Sequence, residues 1–124
     1  MLTPIAYGLA VVLDLFILFI GLRFLLVPQA AAAGYGVPAK KDGDAAAYLT
    51  IKGMRDSVYG IVGLALLFFV GVRAEAWLML VVALLPLSDT VIVLRNGGTK
   101  AVAFGIHFAT AVVVLICAAL LFLA

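Results

Sequence analysis

The chain has 124 residues, 68% of them hydrophobic and only 11% charged, with a net charge of +2. Soluble domains carry about 25% charged residues, so too little polar material is present to coat a water-facing surface; a mean hydropathy of +1.35 points to a bilayer as the solvent. The small net charge and the absence of basic runs mixed with aromatics exclude a nucleic-acid binder, and a single cysteine, Cys117, excludes an intramolecular disulfide.

Four apolar segments follow in chain order, each near the ~20 residues that cross a hydrocarbon core. The first covers residues 4–26. Its start, "MLTP", has no basic n-region, and the apolar stretch exceeds a signal-peptide core, so it is expected to stay as an anchor. Residues 27–47, "VPQAAAAGYGVPAKKDGDAAA", are rich in Pro, Gly and charge and read as a loop or surface segment. The second, third and fourth spans are expected at 48–72, 74–94 and 101–123, joined by a tight hairpin at "GVRAEA" and by the glycine turn "RNGGTK". Backbone groups in lipid must pair internally, and the segments are too continuously apolar for a barrel. The fold class is therefore an all-α membrane protein, a single domain of four transmembrane helices in an antiparallel bundle.

With four spans, the first and third loops share a face that carries Lys40, Lys41, Arg95 and Lys100. The positive-inside rule puts that face in the cytoplasm and both termini outside, in what is expected to be a bacterial inner membrane. Trp77 and Tyr7 fall near the opposite face, as an aromatic belt requires. Gly53 with Ser57, and Gly105 with Ala109, are small-residue pairs that permit close helix contact within one chain or in a homo-oligomer. Pro86 is expected to kink the third span. Cys117 reads as a small packing residue.

The segment "YLTIKGMRDSVYGIVGLALLFF" opens with Lys52, Arg55 and Asp56 before turning apolar. Counted along helices at ~1.5 Å per residue, Lys52 lies roughly 6 Å inside the basic face and Arg55 and Asp56 roughly 10–12 Å. Asp89 and His107 lie at roughly 8–10 Å, and Asp14 near the bilayer middle. Lys52, Arg55, Asp56, Tyr59 and Gly63 recur at one-face helical spacing, as do Ala103, His107, Thr110, Ala111 and Val114. Arg23 is half a turn from Asp14 and is assigned to headgroups. An Asp, Lys or Arg at a helix centre costs about 2.5–3.5 kcal/mol on the insertion scale. Pairing across the bundle is the expected relief, with Arg55 bridging Asp14 or Asp89. The bland reading is a polar clasp that fixes packing; the functional one is a pocket open to the cytoplasmic side. In the latter, Asp56, Asp89 and His107 are the proton-transfer candidates, tuned by burial, Lys52 and Arg55, while Tyr59 and Thr110 orient a carbonyl or hydroxyl. One histidine and scattered aspartates give no metal-ligand spacing, and no cofactor motif is present.

"GLRFLLVPQAAAAGYGVP", "YLTIKGMRDSVYGI", "LLPLSD" and "LRNGGTKAVAFGIHFATA" resemble the small membrane proteins grouped as domain of unknown function 4267. The resemblance spans nearly the whole chain and implies a short integral membrane protein of bacterial or fungal type, with no activity to carry over. Four helices and an acid in the first are also similar to small multidrug-resistance transporters, from which Asp14 in place of glutamate, the long first loop and the Lys-Arg-Asp cluster depart. The leading expectation is an acid–base enzyme, an isomerase or cyclase, acting on a lipophilic small molecule among membrane lipids. The alternatives are a non-catalytic membrane subunit and a proton-coupled transporter in which Asp14 titrates.

Overall fold

A computed structural model describes residues 2–40 and 43–124; Lys41 of the basic face lies outside the described residues. The described chain is helical throughout: α1 (Leu2–Leu26), α2 (Pro28–Tyr35), α3 (Ala45–Val70), α4 (Val72–Arg95) and α5 (Lys100–Leu123). All but α2 are long and apolar enough to cross a membrane. Their limits differ from the sequence expectation by a few residues for local reasons. The alanines before Tyr48 extend α3 toward its N-terminus, alanine being the best helix former. Thr99 caps α5, its Oγ1 accepting the Val102 N–H at 3.1 Å.

The stretch read as a loop contains a helix. Pro28 sits in the first turn, where its missing N–H costs nothing, and an alanine run follows. The helix ends in a Schellman motif: the Gly36 N–H bonds the Ala33 carbonyl at 3.1 Å and the Val37 N–H bonds the Ala32 carbonyl at 3.3 Å. Gly36 has φ +104°, and a side chain there would press on Val93 and Val102. α2 thus folds back against the α4–α5 turn. Ala31 and Ala32 bury against Phe24, Ile20 and Leu49.

The hairpin between α3 and α4 is tighter than expected. Gly71 alone separates the helices, so Arg73 and Glu75 lie inside the first turn of α4. α4 is broken at Ala83, between Val72–Val82 and Leu84–Arg95, because Pro86 offers no N–H to the Val82 carbonyl. Two π-helical stretches interrupt the spans, at Leu66–Val70 and at Ala103–Phe108, the latter containing His107.

Small residues bring the helices together. α1 runs along α3 on a seam where Gly21 meets Gly53 and Ser57, and Asp14 meets Gly60 and Gly63. Without a hydrophobic drive between helices in lipid, such close backbone approach is what holds them. Gly105 and Ala109 instead face outward. At the hairpin end α1, α4 and α5 meet in a core of Ala6, Ala10, Ala76, Met79, Cys117 and Leu121. Trp77 packs edge-on against Phe122 at 5.0 Å, under the Arg73 guanidinium, and Tyr7 against Phe68 at 5.8 Å. The outer surfaces carry exposed large apolar side chains on every span, a face suited to lipid and not to water.

Candidate functional site

α3 makes its interhelical contacts chiefly with α1 and α2, and α5 packs on α4 and α1. Between these groups lies a cavity of about 690 Å³, inside the about 300–1,000 Å³ range of small-molecule sites. From α1 it receives Asp14, Arg23 and Phe24, and from α3 Lys52, Arg55, Asp56 and Tyr59. α4 contributes Pro86 and Asp89, α5 His107 and Thr110, and α2 Tyr35. The eight candidate residues Asp14, Lys52, Arg55, Asp56, Tyr59, Asp89, His107 and Thr110 therefore line one space.

His107 is the best-fixed of them. The π-helical stretch carries it on the inner face of α5, buried, and its Nε2 donates to the Tyr35 backbone carbonyl at 2.6 Å. With that proton committed, Nδ1 is the nitrogen left to face the cavity, and it stands 4.0 Å from Asp89 Oδ2. The Tyr35 ring tilts against the imidazole, centroids 4.3 Å apart. Burial, and then the adjacent Asp89 carboxylate, push the Tyr35 phenol well above its usual range. It stays protonated beside Asp89.

Asp56 is buried and pairs with Lys52 one turn earlier, Nζ to Oδ2 at 2.8 Å. The same ammonium lies 4.9 Å from the ring centres of both Phe24 and Tyr35, so the pair is braced by aromatic faces from α1 and α2. Thr110 donates to the Ile106 carbonyl at 2.6 Å, which leaves its oxygen free only to accept.

Two expectations need correction. Arg55 bridges neither Asp14 nor Asp89: it is exposed at the cavity edge and has no ion pair among the described residues. A local pairing of Lys52 with Asp56 and the histidine at Asp89 have taken the nearby carboxylates. Arg23 is half-buried on the cavity wall, where helical phase had sent it to the headgroups.

Asp14 has a partner that the sequence did not suggest. Its carboxyl lies against that of Glu75, the only glutamate of the chain, which is fully buried. A Cβ at Gly63 would collide with the Asp14 carboxylate, so glycine is what lets the acid lie between α1 and α3. Among the described residues no cation or hydroxyl reaches Asp14 Oδ2 or either Glu75 oxygen. Two ionised carboxylates side by side in a dry interior repel strongly, so the pair is a costly arrangement to keep. Cys117 packs beside the pair.

Glu75 and Tyr35 were the residues missed. Glu75 sits in a stretch that charge alone marks as a turn, yet it falls on one helical face with Met79, a phase visible once α4 is started at Val72. Tyr35 is betrayed by its frame, a proline-led alanine run closed by glycine, which is a helix signature. Among the described residues, no three His, Cys, Asp or Glu side chains come together as a metal-ligand set.

Four long apolar helices, their outer faces clothed in aliphatic and aromatic side chains, make this a multi-pass membrane protein. Within that class the chain belongs to the family described as domain of unknown function (DUF4267), which matches residues 15–121. No curated protein and no solved structure matches the sequence.

Proposed function

We propose that the cavity is an intramembrane polar site for acid–base chemistry on a lipophilic small molecule. The observation that carries this reading is the 2.6 Å bond from His107 Nε2 to the Tyr35 carbonyl, which turns Nδ1 toward Asp89 and the cavity. A backbone carbonyl on one ring nitrogen is how a histidine is held in a single tautomer with the other nitrogen free to accept a proton. In this scheme Nδ1 takes a proton from a C–H or O–H of the substrate. Asp89 stabilises the imidazolium, and the proton returns to a different atom of the same molecule. The net reaction is an isomerisation or ring closure with no co-reactant. Asp56, balanced by Lys52, is a second carboxylate for proton relay; Tyr59 offers a hydroxyl to a substrate oxygen, and Thr110 accepts from a substrate hydroxyl.

The mouth opens to the cytoplasmic side and both termini lie outside, in a bacterial inner membrane; the basic residues Lys40, Arg95 and Lys100 support that orientation. The test is incubation of the purified protein with lipid extracts, followed by mass spectrometry. One compound should be converted to an isomer by the native protein and not by His107→Gln. An unchanged pool from several sources would remove the enzymatic reading and leave that of a non-catalytic subunit.

The Asp14–Glu75 pair favours one further reading, proton-coupled transport, because buried carboxyls deep between helices are groups that a gradient can load and unload. Vesicles holding the protein would then take up a lipophilic solute only under a pH gradient, and Asp14→Asn would abolish uptake.

A further inference from the structure

The cavity has a direction. Its lining runs along α1 from Leu13 to Phe24 and along α3 from Tyr48 to Tyr59, an axial length of roughly 16 Å at the helical rise. One end is aliphatic apart from the buried Asp14, with Leu13, Leu78, Val82 and Val114; the other holds the remaining charges. At the charged end each carboxylate already has company. Asp56 is covered by Lys52 at 2.8 Å, and Asp89 faces His107 at 4.0 Å and the Tyr35 phenol. Two cations remain. Arg23 and Arg55 both line the cavity, and neither makes an ion pair among the described residues. They stand at similar depth, because the α1–α3 seam sets Gly21 beside Gly53 and Ser57.

From this layout we infer that the cavity's ligand is a single-chain amphiphile with an anionic head, a carboxylate or phosphate held by Arg23 and Arg55, and a hydrocarbon tail directed toward Leu78 and Val114. A planar guanidinium pairs with either oxyanion through parallel hydrogen bonds, and two of them flanking one opening select for such a head. A volume of about 690 Å³ is enough for one medium-length chain with its head, and too small for the whole of a lipid with two full-length tails. This rests on the proposal that the cavity is a substrate site, and adds what enters it.

The test uses the full chain in phosphatidylcholine nanodiscs, with retention of added probe measured by mass spectrometry against empty discs. The probes are dodecanoate, dodecyl phosphate, dodecanol, dodecyltrimethylammonium and the two-chain phosphatidic acid. Dodecanoate and dodecyl phosphate should be retained about 10- to 100-fold better than dodecanol, the range that one or two charge-assisted hydrogen bonds supply. The cation should not be retained. The double variant Arg23→Gln, Arg55→Gln should lose the preference, and Arg23→Lys, Arg55→Lys should recover part of it, which separates lost charge from lost folding. Equal retention of dodecanol, or a preference untouched by the double glutamine variant, would overturn the inference and leave both arginines as headgroup anchors. Retention of phosphatidic acid as strong as that of dodecanoate would overturn its single-chain part. The measurement is repeated in His107→Gln. An anion bound there and in the native protein, with nothing converted by either, sinks the acid–base reading and leaves this one standing. A neutral compound converted by the native protein does the reverse.

Discussion

His107 and Tyr35 stand 72 residues apart in the chain and are joined by a 2.6 Å hydrogen bond from the imidazole to a backbone carbonyl. No other side-chain hydrogen bond among the described residues spans more than one helical turn. The bond ties the short α2 across one end of the bundle to the fourth span.

Replacing His107 by Gln keeps an N–H for that carbonyl and removes the basic nitrogen. The variant is expected to melt in mild detergent close to the native temperature while losing about 10²- to 10⁴-fold in conversion of its substrate, the usual contribution of a positioned acid–base group. A large drop in melting temperature would show that the histidine serves packing alone.

Lys52 and Arg55 should behave in opposite ways despite their proximity. Lys52→Met strips the cation from buried Asp56 and is expected to cost about 1–3 kcal/mol, read as a lowered melting temperature. Arg55→Gln removes an exposed side chain with no ion pair among the described residues and should leave the melt within about 0.5 kcal/mol of native. If Arg55→Gln is the more damaging, the pairing described for α3 is wrong.

The α1–α3 seam makes a prediction about methyl groups. Gly63→Ala drives a Cβ into the Asp14 carboxylate and should destabilise by about 1–3 kcal/mol, the usual penalty for overpacking. Gly105→Ala enters open space and should be neutral or slightly stabilising, because alanine is the better helix former. Melting both variants in one detergent decides the matter.

Asp14→Asn and Glu75→Gln each replace a buried carboxyl by an amide that can donate to the remaining acid. Either single change should preserve folded yield. Asp14→Leu, which leaves Glu75 buried without a polar neighbour, should cost about 1–3 kcal/mol. Expression and size-exclusion profiles of the three variants check this, and a collapse of both conservative variants would argue for a different partner.

For the proposed orientation, a reporter active only outside the cytoplasm, fused after Ala124, should be active. Activity from a cytoplasm-only reporter at that position would reverse the topology.

The four spans were legible because bilayer length and apolar continuity are one-dimensional quantities, countable along the chain. Helical phase was equally readable: Asp56, His107 and Asp14 turn inward, and with Asp89, Lys52, Arg55, Tyr59 and Thr110 they line one cavity. Which charge meets which was not. Arg55 was expected to find an aspartate across the bundle, yet Lys52 reaches Asp56 within its own helix, a contact at four-residue spacing that needs no tertiary structure. Glu75 escaped because a glutamate between Arg73 and Trp77 looks like a turn until the hairpin is known to be a single residue. Tyr35 escaped because proline and glycine were read as loop residues, where they are the start and stop of a helix.

Synthesis proceeds from the N-terminus, and that gives the Tyr35–His107 bond an order of events. The α1–α3 seam uses only the first half of the chain, so those two spans can lock together while the later ones are still being made. α2 then has its alanine face seated on Phe24, but its C-terminal end waits for a residue that has not yet been translated. His107 arrives with the last span, and only then is the charged end of the cavity closed over. Truncations that stop before the fourth span should therefore leave Tyr35 accessible to modifying reagents, and nascent chains should gain protection there in one late step.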